Sequence, residues 1–379
     1  MRLELFGRSL RIVPFAISVV LAEAKKSIGE IKHVGNGIAL PRMMNLAGLD
    51  FGAINDGSYI IGNAVTPPVN QIPHFTKQGA NVIRVNFAWP YIQSKLNGEL
   101  NKTSLDNLRG IVDAVLENGA YAILDLHSYA RFDRKIVGES DIKAEALVDV
   151  WRRLAKSFPQ KDILYGITNE PHDLKMETWA DTMKTIVAEL RKDGVTNIIL
   201  IPGNEFTSLQ AFPKWYPFLK DITNPDGSTD NLIFEAHRYL DVDNSGTHTE
   251  CTASNVADVE EALKILQKDG RQLILAETGG GNTESCEKFL PEFFEAIVKG
   301  YPSIIGGLLW AGGAFDEKYE LVITVAKSPE KNDWVDQSNW KSIQKFLPPP
   351  GKGRTNCKAN KKSSTKADID PSAKAKTKA

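Results

Sequence analysis

Only three cysteines, Cys251, Cys286 and Cys357, occur in 379 residues, which excludes a scaffold built on disulfides and leaves stability to a packed core. No permanent membrane span is evident, because the one candidate apolar run, 12–22, is too short for a bilayer of about 30 Å and is diluted by Pro14 and Ser18. There is no charge of one sign to spare: a formal net charge of −1 gives no overall bias toward nucleic acid or a membrane. A nucleotide-binding glycine turn is also missing. Asp50-Phe51-Gly52 follows the first strand-like run where a doubly wound sheet would carry G-x-G-x-x-G. Gly279-Gly280-Gly281 comes after the seventh run and lacks the Lys-Ser/Thr of a phosphate loop.

What is present is a regular beat. Apolar, strand-like runs fall at 44–48, 82–87, 121–127, 163–169, 197–202, 232–239, 272–278 and 304–310, with amphipathic helical patterns at 104–117, 144–158, 177–192, 256–268 and 286–299. Short, nearly continuous apolar strands alternating with helices predict a parallel sheet covered on its faces. Eight repeats predict an α/β fold, a (β/α)8 barrel forming a single domain over 25–350, and a chain of this length is sufficient for it.

The ends read differently. Arg2, Arg8 and Arg11, the short apolar run and Ala22-Glu23-Ala24 predict a signal peptide over 1–24, hence a secreted, extracellular protein. Beyond Pro348-Pro349-Pro350 the composition turns to Lys, Ser, Thr and Ala, predicting a disordered basic tail over 351–379 that either adheres to an anionic surface or is a solvated extension. Cys251 and Cys286 follow two predicted strands and are candidates to pair; a loop of that length would add about 3–4 kcal/mol. Cys357 has no evident partner, and Asn101-Lys102-Thr103 is a lone glycosylation sequon.

A barrel carries its chemistry at the C-terminal ends of its strands. Polar residues collect at those ends: Arg84 and Asn86, Asp125 and His127, Asn169 and Glu170, His237, Arg238 and Tyr239, Glu277, and Trp310. Alternation puts His237 and Tyr239 on one face of their strand. It also predicts that Leu275 and Glu277 share a face, with Ile274 and Ala276 turned toward the helices. Strands four and seven can oppose one another, so Glu170 and Glu277 are candidates for a carboxyl pair that cleaves a glycosidic bond, one protonated and one ionised. Arg84 would keep Glu277 anionic, whereas Glu170 has no cation assigned to it and is free to hold the proton.

At these residues a resemblance appears. Ile167-Thr168-Asn169-Glu170-Pro171-His172 resembles the N-E-P acid/base motif of glycoside hydrolase family 5, and Ala276-Glu277-Thr278-Gly279 resembles that family's nucleophile strand. Ala47-Gly48-Leu49-Asp50-Phe51-Gly52, Asp125-Leu126-His127-Ser128-Tyr129-Ala130-Arg131, and the stretch from Asn224 through Asn244-Ser245-Gly246-Thr247-His248 to Cys251 are similar to its fungal endo-β-1,4-glucanases (cellulases). The likeness covers about 33–347. It implies Glu170 as acid/base and Glu277 as nucleophile of a retaining hydrolysis, with the carboxyls about 5 Å apart. Arg84 and Tyr239 would then aim the nucleophile, His237 would tune the acid/base, Asn169 and His127 would contact the sugar at the cleaved bond, and Trp310 would be its platform.

The likeness further implies a β-glucan polysaccharide as the partner, with no cofactor, no metal, no nucleic acid or membrane partner, and a monomer. Mannan, xyloglucan or mixed-linkage glucan remain open as substrates of the same chemistry, and a non-catalytic sugar-binding protein remains the alternative of another class. Phe132 stands where relatives often have Trp, and no Cys-rich cellulose-binding module is evident, so soluble or amorphous glucan is expected to be the better substrate. Trp89, Tyr129 and Trp334 are candidate subsite aromatics. Asp241 and Asp243 near His248 admit either a cation site or a loop-ordering hydrogen-bond role.

Overall fold

The computed structural model describes residues 42–328 and 333–347; the predicted signal peptide, the basic tail and Cys357 lie outside them. Eight parallel strands close into a barrel: β1 Arg42–Leu49, β2 Val82–Phe87, β3 Tyr121–Leu126, β4 Ile163–Gly166, β5 Ile199–Pro202, β6 Leu232–Tyr239, β7 Leu273–Gly279 and β8 Ile304–Gly313. Each strand pairs with its neighbour in sequence, and β8 pairs with β1. Around the barrel run α1 Gln71–Lys77, α2 Lys102–Glu117, α3 Ala144–Ser157, α4 Met176–Lys192, α5 Phe212–Leu219, α6 Val256–Asp269, α7 Glu284–Lys299 and α8 Ser338–Ile343. The described residues contain no helix long and apolar enough to cross a membrane.

Two apolar layers follow from strand alternation. Val82, Ile123, Leu164, Leu200, Ile233 and Ile274 fill the barrel interior, and a larger cluster, with Leu275 in it, lies between strands and helices. Three tryptophans of the outer layer pin the active end. The indole N–H groups of Trp151, Trp179 and Trp215 donate to the carbonyls of Ile167, Pro202 and Ser208 at 2.9, 3.0 and 3.1 Å. A buried Trp with a satisfied N–H couples packing to position, and truncating one costs about 3–5 kcal/mol.

Two of the helix starts are capped by side chains. Asn101, the sequon asparagine, caps α2 by accepting from Ser104 N, and Thr283 caps α7 by accepting from Cys286 N. Cys286, in the first turn of α7, forms the expected disulfide with Cys251 from the loop after β6. A methyl group on Gly280 would lie 2.2 Å from Cys251 Sγ and 2.6 Å from Cys286 Sγ, so glycine is what lets the bridge pass over β7's end.

One expectation fails. Ile274 and Ala276 do not face the helices; both belong to the interior cluster, while Leu275 packs outside. The cause is a bulge in β7. Opposite β6, Ala236 pairs with Leu275 and His237 with Glu277, which skips Ala276. Opposite β8, Gly307 pairs with Leu275 and Leu309 with Thr278, and an extra β7 residue again goes unpaired. A bulge breaks the two-residue period and re-aims the next side chain, so Glu277 reaches the barrel mouth although Ala276 is also turned inward.

Candidate active site

At the centre lies Arg84 of β2, fully buried. Its Nη1 donates to Asn45 Oδ1 at 3.0 Å and Glu277 Oε1 at 2.6 Å; its Nη2 donates to Asp125 Oδ1, Asn169 Oδ1 and Glu235 Oε1 at 2.8, 2.8 and 2.9 Å. Burial disfavours the guanidinium charge, but Asp125, Glu235 and Glu277 outweigh it and raise the pKa further. Five acceptors drawn from β1, β3, β6, β7 and the end of β4 thus converge on one planar cation, as the guanidinium fork allows.

Both oxygens of Glu277 are held. Arg84 takes Oε1, and the Tyr239 hydroxyl donates to Oε2 at 2.7 Å. Burial and the Glu277 charge raise the Tyr239 pKa well above its ordinary value, so the phenol remains a donor. The bulge that aims Glu277 is itself satisfied: Asn45 Nδ2 donates to Ala276 O at 2.9 Å.

Glu170 sits past the last ladder bond of β4, which stops at Gly166 rather than at Asn169 as the apolar run suggests. The extension still follows β3, because Asn169 N donates to Leu126 O at 2.9 Å. Glu170 then takes φ +44°, in the left-handed region, and Pro171 O accepts from Phe206 N at 3.0 Å. A non-glycine residue there is strained and persists only where the surroundings dictate it.

Glu170 is not without a cation. His237 Nδ1 stands 2.9 Å from Glu170 Oε1 and 3.6 Å from Glu277 Oε2, and His237 Nε2 is 3.2 Å from Glu235 Oε1. Burial pulls the imidazole toward neutrality, but the charge of Glu277 and the hydrogen bonds to Glu170 and Glu235 prevail and raise its pKa to about 10. The charged form of His237 is thus favoured by its place between Glu170, Glu235 and Glu277. One atom each of Glu170, His237 and Glu277 lies within 4.8 Å of the others.

His127 gives Nδ1 to Asp125 Oδ2 at 2.8 Å and turns Nε2 to the Asn169 amide nitrogen at 3.2 Å. Burial favours the neutral ring, the Asp125 carboxylate favours the charged one, and the carboxylate wins, raising the pKa to about 9. Asn169 accepts from Arg84 through its oxygen, and its amide nitrogen lies 3.2 Å from His127 Nε2; with the ring protonated both groups are donors, and both are left for a ligand. Trp310 lies almost parallel to His127, 5.9 Å between ring centres and 26° between planes, and gives its indole N–H to Tyr319 at 2.9 Å.

The structure thus brings together Arg84, His127, Asn169, Glu170, His237, Tyr239, Glu277 and Trp310. Sequence reasoning missed Glu235 and Asn45; alternation along Glu235, His237 and Tyr239 marks the first, and nothing local marks the second. Of the aromatics, Trp89 is wholly buried and gives its N–H to Gln93, so it belongs to the core. Tyr129 lies beside both His127 and His172, and Trp334 helps line a cavity of about 450 Å³ with Phe315.

The family model Cellulase (glycosyl hydrolase family 5) matches residues 56–311. The chain belongs to glycosyl hydrolase family 5. Similar proteins include the manganese dependent endoglucanase Eg5A of Phanerodontia chrysosporium, 41% identical over 79% of this chain and 79% of that one. Endoglucanase EG-II of Hypocrea jecorina is 36% identical over 78% of this chain and 75% of its own. Among solved structures, Cel5A (EG2) from Hypocrea jecorina superposes with a TM-score of 0.77 at 34% identity, covering 83% of this chain and all (100%) of that one. XacCel5A in complex with cellopentaose gives 0.74 at 29% identity, over 82% and 99% of the two chains.

Proposed function

We propose that this family 5 chain is a secreted endo-β-1,4-glucanase that cleaves internal β-1,4-glucosidic bonds of β-glucan by a retaining double displacement. The observation that carries the reading is the spacing of the two carboxyls. One oxygen of Glu170 and one of Glu277 lie within 4.8 Å of each other, a close approach that fits the separation of about 5–5.5 Å between the carboxyl groups of retaining enzymes. The endoglucanase names of relatives matched over most of their length support the substrate class. The Cys251–Cys286 disulfide supports an oxidising, extracellular compartment.

In this reading Glu277 attacks the anomeric carbon while Glu170 gives its proton to the departing oxygen, so the C–O bond breaks as an ester bond forms. Water then attacks the anomeric carbon, Glu170 takes the water's proton, and Glu277 leaves as a carboxylate. Arg84 and Tyr239 fix and stabilise the carboxylate at the start and end of the cycle. The His237 imidazolium faces Glu170 when that residue is ionised between the two steps. The free amide N–H of Asn169 is available to the sugar 2-hydroxyl, His127 contacts the same ring, and Trp310 stacks against it.

Product analysis on cello-oligosaccharides tests the reading. The β-anomer is expected first, and Glu277→Gln is expected to abolish hydrolysis while still binding the oligosaccharide. An α-anomer first, or a Glu277→Gln protein with undiminished turnover, would refute it. Faster release of reducing ends from mannan than from carboxymethylcellulose would move the substrate to another β-glycan with the chemistry unchanged.

A further inference from the structure

The loop after β6 carries a second cluster that the hydrolysis does not use. Asp241-Val242-Asp243-Asn244-Ser245-Gly246-Thr247-His248 sets oxygen-bearing side chains at every second position. In twelve-residue calcium loops the same spacing supplies ligands from positions 1, 3 and 5, with glycine at 6. Asp241, Asp243 and His248 offer one atom each within 4.8 Å of one another. Asp241 Oδ2 is 3.2 Å from both Ser245 Oγ and His248 Nδ1, and His248 Nδ1 is 3.4 Å from both Asp243 Oδ1 and Thr247 Oγ1. Metal–ligand bonds of about 2.1 Å in an octahedral shell put neighbouring ligands about 3 Å apart.

Hydrogen bonds alone can hold such a ring, so its spacing does not decide the matter. The Asp241 carboxylate does. Its side chain is 1% exposed. One oxygen, Oδ2, accepts from Ser245 Oγ and from the backbone N–H groups of Thr247 and His248. The other, Oδ1, is sealed from solvent and has no hydrogen-bond partner. A buried, bare carboxylate oxygen is costly, and an ion coordinated by the group would satisfy it.

We propose that this loop binds a divalent cation through Asp241, Asp243 and His248, with the Ser245 and Thr247 hydroxyls beside them, and that the ion fixes the wall behind Tyr239. The donor set narrows the choice of ion. Imidazole suits transition ions and carboxylates and hydroxyls suit harder ones, so a mixed set disfavours Ca²⁺ and Mg²⁺ and fits a divalent transition ion, of which Mn²⁺ is the hardest. Thr252 stands where a calcium loop supplies its bidentate glutamate. The link to the cleft is direct: Asn244 Oδ1 accepts from Tyr239 N at 2.8 Å, and a Cβ on Gly246 would lie 2.7 Å from the Tyr239 ring.

The test reads binding, so it stands apart from the hydrolase reading. Protein stripped with EDTA is titrated with MnCl2, with free Mn²⁺ followed by electron paramagnetic resonance and the melting temperature followed in parallel. One Mn²⁺ per chain and a rise in melting temperature are expected. In Asp243→Asn/His248→Gln, whose side chains are 56% and 50% exposed and so dispensable for folding, affinity is expected to fall at least about tenfold and the rise to vanish. Asp241→Asn, checked for its fold by circular dichroism, is expected to do the same. No binding by the unaltered protein, equal binding by the double variant, or tighter binding of Ca²⁺ or Mg²⁺ would overturn the proposal. So would binding that survives in the double variant but is lost in Glu170→Gln, which would put the ion in the cleft.

Discussion

Arg84 is the residue on which most of the site depends, because Asp125, Glu235 and Glu277 are buried around it. Removing one partner of a buried ion pair leaves the other charge uncompensated, at about 3–5 kcal/mol. Arg84→Ala is therefore expected to melt far below the parent. Arg84→Lys keeps the charge as a compact point and cannot bridge the acceptors at both ends of the fork. It is expected to fold and to lose roughly 100-fold or more in kcat on a soluble cellulose derivative, the scale of losing one aimed electrostatic contact. A Lys variant as active as the parent would show that charge alone suffices. Much of this residue-level picture was legible beforehand, since charged groups at strand ends are conspicuous against apolar runs. Glu235 was not singled out, although it shares the face of His237 and Tyr239. Asn45 has no such marker, because a lone asparagine in an apolar strand differs in no local way from a structural one.

At the scale of elements, apolar runs located all eight strands, and helix period located α2, α3, α4, α6 and α7 to within a few residues. Of the eight helices α1–α8, three went unpredicted. α5 contains Pro217 inside and a proline in its first turn, which obscures its period, and α1 and α8 span only seven and six residues. The β7 bulge was also illegible, for a physical reason: the sequence around Leu275 and Glu277 alternates normally, and the extra residue is visible only in the pairing with β6 and β8. The bulge makes its own prediction. Asn45→Ala removes the donor to Ala276 O together with an Arg84 acceptor, both buried. A loss of about 1–3 kcal/mol in stability is expected from the orphaned carbonyl. A fall in kcat larger than any rise in KM is expected as well, because Glu277 loses its aim while the sugar contacts remain. Unchanged kcat would mean that the neighbouring strands alone set the bulge.

The molecule as a whole inherits a pH dependence from its centre. His237 and His127 have folded pKa values raised to about 10 and about 9, against 6.5 for a free imidazole. The folded state thus binds these protons more tightly than the unfolded chain does. Their stabilisation is complete below pH 6.5 and is lost as pH rises through 9 to 10. Surface ion pairs such as Lys102–Asp106, with side chains 88% and 57% exposed, contribute little and are screened by salt. The expected signature is a melting temperature that falls between pH 6.5 and 10, with a slope that moderate salt leaves nearly unchanged because the groups are buried. Glu235→Gln removes one of the carboxylates holding the His237 proton, so the decline should begin at lower pH in that variant. A profile flat to pH 10, or one abolished by half-molar salt, would show that stability resides in surface charge and that His237 is neutral between the two glutamates.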